Sequence, residues 1–425
     1  MLIHLPKTGL YYEMKTPSVN GTRLIESLKS MARIGATQKG GVCRLAVTTE
    51  DRDARHLFVD WAKKANCEIN VDQVGNLFCR RRGQNDELEP IILGSHLDSQ
   101  PTGGKYDGAF GVLAALEVIR TLNDNNIETL RPVEAVSWTN EEGSRFPPAM
   151  MGSAVFTGAL KLSDALNTKD LDGCTVRESL SQIGYAGAVP CGERPVYAYF
   201  EAHIEQGPIL EAESKIIGVV EGIQGIRWFD CTIIGEEGHA GPTPMHARRD
   251  ALTGAAHLVQ RINTIAVQNK PHGRATVGQF RLSPNSRNVI PGKVSLTVDM
   301  RHPDPDALAS MGGSLRTQFE KTCEETKLSG DLEEIWYSPP TNFALTCVHT
   351  VERAAQLRQY SNMRIISGAG HDAKYMADVC PTAMIFIPCK GGLSHNEMED
   401  AEDVHLIAGA QVLLDAALIK AMEAE

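Results

Sequence analysis

The sequence predicts an α/β fold, an open mixed sheet with helices on both faces, carrying an inserted α+β domain of ferredoxin-like order. Three observations predict it. At 425 residues the chain exceeds what one hydrophobic core usually organises, so two domains are expected. Four short apolar runs, at 90–93, 132–138, 195–200 and 382–387, read as strands of one buried sheet, and each leads into a polar segment rich in His, Asp or Glu. Between the third and the fourth, the elements from 225 to 338 follow the order strand, helix, strand, strand, helix, strand. That split βαβ plan is complete in itself. The expected domains are therefore 1–224 with 339–425, and 225–338, with Gly222 to Gly225 and Ser338-Pro339-Pro340 as hinges.

Residues 21–34 read as a first helix, with Leu24, Ile25, Leu28 and Met31 on one face and Gly35 as its stop. A second spans 51–65 with Ala54, Phe58 and Trp61 inward. Residues 68–80 alternate as an exposed strand pair, and Arg80-Arg81-Arg82 reads as its solvated end. The run at 90–93 enters a glycine-rich loop, and a helix follows whose apolar positions Val112, Leu113, Leu116 and Ile119 recur at helical spacing. Beyond the strand at 132–138, residues 146–158 read as a loop and 164–183 as a helical excursion. In the inserted segment, strands are expected at 228–234, 275–282, 294–300 and 331–337, and helices at 248–268 and 306–326. A helix at 345–360 and a loop at 367–373 precede the last strand.

Composition is that of an ordinary folded protein, 42% hydrophobic and 22% charged. The net charge of -11 comes from 53 acidic and 42 basic residues with no long run of either sign, which argues against a nucleic-acid or anionic-membrane surface. No stretch reads as a membrane span, and Pro6, Lys7 and Gly9 interrupt the apolar core a signal peptide would need. Ten cysteines lie singly with no CxxC, as expected of free thiols in the cytoplasm.

The chemistry-bearing residues gather where the strands end. His96 and Asp98 follow the first run, and Asp107 comes at the far side of the loop, placed to face His96. A satisfied core histidine is the commoner reading of any one His. A phosphate cradle is the rival for the glycines, but Lys105 is followed by Tyr106 where a P-loop needs Ser or Thr. The second strand runs into Glu141-Glu142-Gly143; two buried glutamates need a cationic partner, and the alternative is a solvated turn. The division expected is Glu142 as metal ligand and Glu141 as proton carrier. His203, with Gln206 nearby, follows the third strand, and His395 follows the fourth. Three histidines, one Asp and one Glu make a coherent ligand set for two metals bridged by Asp107, with positions left open for a shared water. Mixed imidazole and carboxylate ligation suits Zn(II), Mn(II) or Co(II). Asp98 is expected to orient His96 through its carboxylate.

The blocks HLDSQPTGGKYDG, NEEGSRFPPAMMGS, EAHIEQGPILE, GHAGPTPM, PNSRNVIPG, VDMRHPD, SGAGHDA and GGLSHNE together resemble the N-carbamoyl-L-amino-acid hydrolase, ureidopropionase and allantoate amidohydrolase family, a branch of the dinuclear aminoacylase and carboxypeptidase G clan. The resemblance runs from Gly21 onward, in order. It implies that His96, Asp107 and His203 hold one metal, that Asp107, Glu142 and His395 hold the other, and that Glu141 is the general base. It further implies that Gln206, His239, Asn288 and Arg301 contact substrate, the last three from an inserted lid through which the protein forms a homodimer. Without it, His239 reads as a turn residue, Asn288 as a cap before Pro291 and Arg301 as a solvated strand end. The implied reaction is hydrolysis of the linear ureido C–N bond of an N-carbamoyl-L-amino acid bearing a carboxylate, to amino acid, ammonia and carbon dioxide. Allantoate and N-carbamoyl-β-alanine are the alternative substrates, and an aminoacylase or dipeptidase is a further one. His371 and Asp372 receive no role.

Overall fold

The computed structural model describes residues 2–4, 11–13, 17–192 and 194–424, and divides the chain into two units, Met1–Glu221 with Asn342–Glu425, and Gly222–Thr341. The stretch holding Pro6, Lys7 and Gly9 lies outside the described residues.

The first unit is built on a mixed sheet. At its centre Thr382–Ile387, Ala198–Ile204, Ile91–His96 and Val133–Trp138 lie side by side and parallel, and every residue in them is buried. Parallel strands covered on both faces need continuous apolar runs, which is why these were legible as such. Leu77–Arg81, paired with Glu68–Val71, adds antiparallel at one side, and Ile217–Ile223 at the other. The helix Ala109–Asp124 packs on the central strands and on the last helix, Asp403–Ala421. Because the four central strands are parallel, their carboxyl ends share one edge of the sheet. All five candidate ligands lie on that edge, His96 and His203 within the strands themselves and the others in the loops that follow.

His96 is the last residue of its strand and does not lie past it, and His203 is the penultimate residue of Ala198–Ile204. Leu77, Phe78 and Cys79 are all buried, so this strand is not exposed. Arg80 and Arg81 are not a solvated end: Arg80 reaches the buried Glu134 at 2.7 Å, and Arg81 donates to Asn123 Oδ1 and the Ile127 carbonyl. A buried carboxylate has to be paired, and Arg80 with Arg194 pairs this one. The loop at 146–158 contains the helix Met151–Phe156, whose residues are all buried. The helical excursion is two short helices, Leu162–Asn167 and Val176–Ile183, the second begun by a capping box of Thr175 and Glu178. The strands Ile217–Ile223 and Asn362–Ser367 were not anticipated. Nor was Asp403–Ala421, which is long and apolar enough to cross a membrane by length and composition alone. It is buried on nearly all sides as a core helix, so it shows no amphipathic face to read.

The second unit is a four-stranded antiparallel sheet in the order Arg274–Ser283, Lys293–His302, Gly225–Ile234, Ser329–Ser338. Phe229, Cys231 and Ile233 alternate inward while Trp228, Asp230 and Ile234 stay exposed, the pattern of a sheet covered on one face. The covering helices are Ala251–Gln268 and Pro305–Thr326, started by Asp250 and Asp304, whose side chains accept from the first free backbone N–H groups. Leu258, Ile262, Met311 and Leu315 fill the interface with the sheet, each burial stabilising by ~1.5–3 kcal/mol. A two-residue ladder of Gly238–His239 with Val289–Ile290 was not anticipated.

Candidate metal centre

His96 donates from Nδ1 to the Asp98 carbonyl at 2.9 Å, and His203 donates from Nδ1 to the Ile204 carbonyl at 2.9 Å. A carbonyl can only accept, so both Nδ1 atoms carry protons and both rings turn Nε2 towards Asp107, His203 Nε2 also lying 3.1 Å from the Gly108 N–H. Those Nε2 atoms lie 3.6 and 3.1 Å from the same oxygen, Asp107 Oδ1. An imidazole nitrogen and a carboxylate oxygen meet at this distance with a proton or a cation between them. The other oxygen, Asp107 Oδ2, lies 3.4 Å from His395 Nε2, which is also 3.3 Å from Glu142 Oε2. Two potential ligand groups thus form, His96 with Asp107 and His203, and Asp107 with Glu142 and His395, sharing Asp107. The first is buried; in the second, His395 is half exposed.

The loop bearing Asp107 is held close by Gly108, at φ +61, where a Cβ would fall 2.4 Å from the His96 ring. A third potential group, Glu201 with His203 and His371, lies buried. Its Glu201 oxygens are already taken by Ser95, Tyr199 and the Ala373 N–H, and His371 by Ser367. His371 stacks edge-on against His203 and Asp372 accepts from Ser153, so this layer packs against the site's histidine.

The two glutamates are held differently. Asp98 accepts the backbone N–H of Glu141 on one oxygen and that of Glu142 on the other, both at 3.1 Å. Its carboxylate is 3.8 Å from His96 Nδ1, so it is the Asp98 backbone carbonyl that orients His96, while the carboxylate fixes the glutamate turn. Gln100 then grips both oxygens of Glu142, through its backbone N–H at 3.1 Å and its side-chain amide at 2.7 Å. Among the described residues no hydrogen bond ties the Glu141 carboxylate, whose Oε2 lies 3.5 Å from His96 Nε2.

Charge in the site is unevenly spread. Burial works against ionising Asp107, but hydrogen bonds from His203 and His96 hold it well below the usual carboxylate range. Burial, with neighbouring carboxylates, pushes Glu141 well above that range, and burial with Asp107 nearby pushes Glu142 up to about 8. Carboxylates that oppose one another's ionisation are what a dication offsets, and this donor set fits Zn(II), Mn(II) or Co(II).

Gln206 donates to Asp107 Oδ2 at 2.9 Å, and its own Oε1 is buried with no hydrogen-bond partner among the described residues. In the second unit His239 is exposed and accepts from the Gly241 N–H, Asn288 is exposed beside Ser286, and Arg301 makes a two-pronged pair with Asp299. Sequence reasoning missed Gln100, although it stands within the first motif block, and missed Glu399, which holds the Asp107 loop from below.

The family model for peptidase family M20/M25/M40 matches residues 92–419. The chain belongs to this family. The span of the M20 match contains all five candidate ligands. Within the family the chain is 46% identical over 400 residues to the N-carbamoyl-L-amino-acid amidohydrolase of Rhizobium meliloti, covering 94% of this chain and 96% of that protein. It is 32% identical to the allantoate amidohydrolase of Bacillus subtilis over 92% of this chain and 96% of that one. An amidase of the hydantoinase/carbamoylase family from Burkholderia multivorans has the same fold, with a TM-score of 0.94 and 55% identity over 96% of this chain and 99% of that one.

Proposed function

We propose that the protein is a metal-dependent amidohydrolase that cleaves the linear ureido C–N bond of N-carbamoyl-L-amino acids. The observation that carries the reading is the shared Asp107, with His96 and His203 at one oxygen and His395 at the other, beside a Glu141 carboxylate that no hydrogen bond restrains among the described residues. Similarity to a carbamoyl-amino-acid amidohydrolase over nearly the whole chain supports the substrate class.

His96, Asp107 and His203 would hold one divalent cation and Asp107, Glu142 and His395 a second, Zn(II) first, with Mn(II) or Co(II) as alternatives. When bound, such a pair would lower the pKa of a water and polarise the carbamoyl oxygen. Glu141 would accept that water's proton as its oxygen attacks the carbamoyl carbon, and return it to the departing ammonia. The carbamate left behind loses carbon dioxide and releases the amino acid. Gln206, His239, Asn288 and Arg301 would contact the substrate, His239 at the oxyanion and Arg301 at the carboxylate; for the last three the support is the family motifs that contain them. The functional form would be a cytoplasmic homodimer joined through the second unit, a reading supported by the ten free thiols and by the two sheet edges that have no neighbour among the described residues.

The test is a panel of N-carbamoyl-L-amino acids, N-carbamoyl-β-alanine, allantoate and N-acetyl-amino acids, with ammonia and free amine both measured and metal content determined alongside. Ammonia from the carbamoyl α-amino acids at the highest kcat/KM is the expected outcome. Preference for allantoate, for which the Bacillus subtilis relative speaks, would change the substrate, and amine release from acetyl substrates without ammonia would overturn the ureido reading.

A further inference from the structure

Glu399 is 1% exposed and lies under the Asp107 loop, although 292 residues separate it from Asp107. One of its oxygens accepts the backbone N–H groups of Tyr106 at 2.9 Å and Asp107 at 3.2 Å. The other lies 3.0 Å from the Ser394 hydroxyl. The loop is shaped around this carboxylate, since a Cβ at Gly104 would fall 2.0 Å from Glu399 Cδ. The Ser394 hydroxyl is also 3.1 Å from Asp107 Oδ2, and it accepts from Gln206 at 3.3 Å. A hydroxyl has one proton, so Ser394 donates either to Glu399 or to Asp107, never to both.

We infer that Glu399 is a positioning residue for the metal centre. It fixes the backbone from which Asp107 extends, and it takes the Ser394 proton so that Asp107 Oδ2 keeps a lone pair for the ion on the His395 side. The inference rests on the metal-dependent reading above and adds to it a residue outside the ligand set. A hydrogen bond one shell behind a ligand carboxylate acts by orienting it and by leaving its lone pairs open.

The test compares wild type, Glu399→Gln and the double variant Glu399→Gln with Ser394→Ala. The Gln oxygen still accepts both loop N–H groups, but its NH₂ donates to Ser394 and forces the hydroxyl proton onto Asp107 Oδ2. Metal-free proteins are titrated calorimetrically with Zn(II), the Co(II) forms are read by visible absorption, and melting curves compare the metal-free folds. Expected in Glu399→Gln is a loss of affinity for one of two ions by roughly 10–100-fold, with a changed Co(II) spectrum and a wild-type melting curve. Removing the Ser394 hydroxyl in that background should restore part of the affinity. Wild-type affinity and spectrum in Glu399→Gln, or a double variant no better than the single, overturns the inference. Should Glu399→Gln not fold, Glu399→Asp, which keeps the charge and withdraws it by one methylene, is read in the same titration with the same two outcomes for affinity and spectrum. The titration needs no substrate, so a wild type that binds two ions yet releases no ammonia from carbamoyl substrates counts against the proposed reaction and is a separate result.

Discussion

Glu141 and Glu142 are neighbours in sequence, yet their surroundings separate them. Gln100 holds both oxygens of Glu142, and Asp98 holds the backbone of the pair, which supports the proposed division in which Glu142 ligates and Glu141 moves a proton. Glu141→Gln is therefore expected to cost ~10²–10⁴-fold in kcat while both metals remain, whereas Glu142→Gln should lose one metal. Kinetics with elemental analysis of both variants check this, and metal loss in Glu141→Gln would reverse the division. Arg301 is the second case at this scale. Its guanidinium already makes a two-pronged pair with Asp299, which holds the plane of the fork in one orientation. Lys cannot offer a planar fork, so Arg301→Lys is expected to lower kcat/KM by roughly 10²-fold on carboxylate substrates, about 3 kcal/mol, with metal content unchanged. Unchanged kinetics would remove Arg301 from the substrate contacts.

At the scale of elements, the site depends on a strand end meeting a helix start. Gly108 caps the helix Ala109–Asp124 at φ +61 and ψ −45, a conformation costing a residue with a side chain ~1–3 kcal/mol. The missing Cβ is also what lets the loop lie on the His96 ring. Gly108→Ala is expected to lower the melting temperature and to weaken the ion held by His96 and His203 more than the one held by Glu142 and His395. Thermal unfolding read beside a Zn(II) titration distinguishes this from general destabilisation, which would weaken both alike. The strand ends themselves were legible because the central parallel strands open on apolar runs that give way to clusters of His, Asp and Glu. The helices of 146–183 were poorly legible because six- to eight-residue helices carry too few turns for periodicity to show.

For the whole molecule, the open question is the sheet of the second unit. Among the described residues, Arg274–Ser283 and Ser329–Ser338 each have one hydrogen-bonded neighbour in that sheet, and Phe280, Ile335 and Trp336 on them are exposed. Unpaired edges of this kind are either blunted or covered, and the proposed homodimer would cover them with a second copy related by twofold symmetry. Light scattering at micromolar concentration is expected to give twice the chain mass of 46.3 kDa, and a monomer there would count against pairing through this unit.

The strand, helix, strand, strand, helix, strand order of residues 225–338 and the residues at the ends of the central strands can be read from the chain alone, because both are written in local periodicity and composition. Even Glu142 and Asp107 could be singled out, as charged groups at the mouths of apolar runs. What holds them is set by contacts distant in sequence. Gln100 to Glu142, Glu399 to the Asp107 loop, and Arg80 to Glu134 are hydrogen bonds between residues 42, 292 and 54 positions apart, and nothing in the neighbouring sequence of either partner marks them. The last helix escaped for a related reason: burial on all sides removes the polar face by which a helix announces itself, so its place in the core is set by what folds around it.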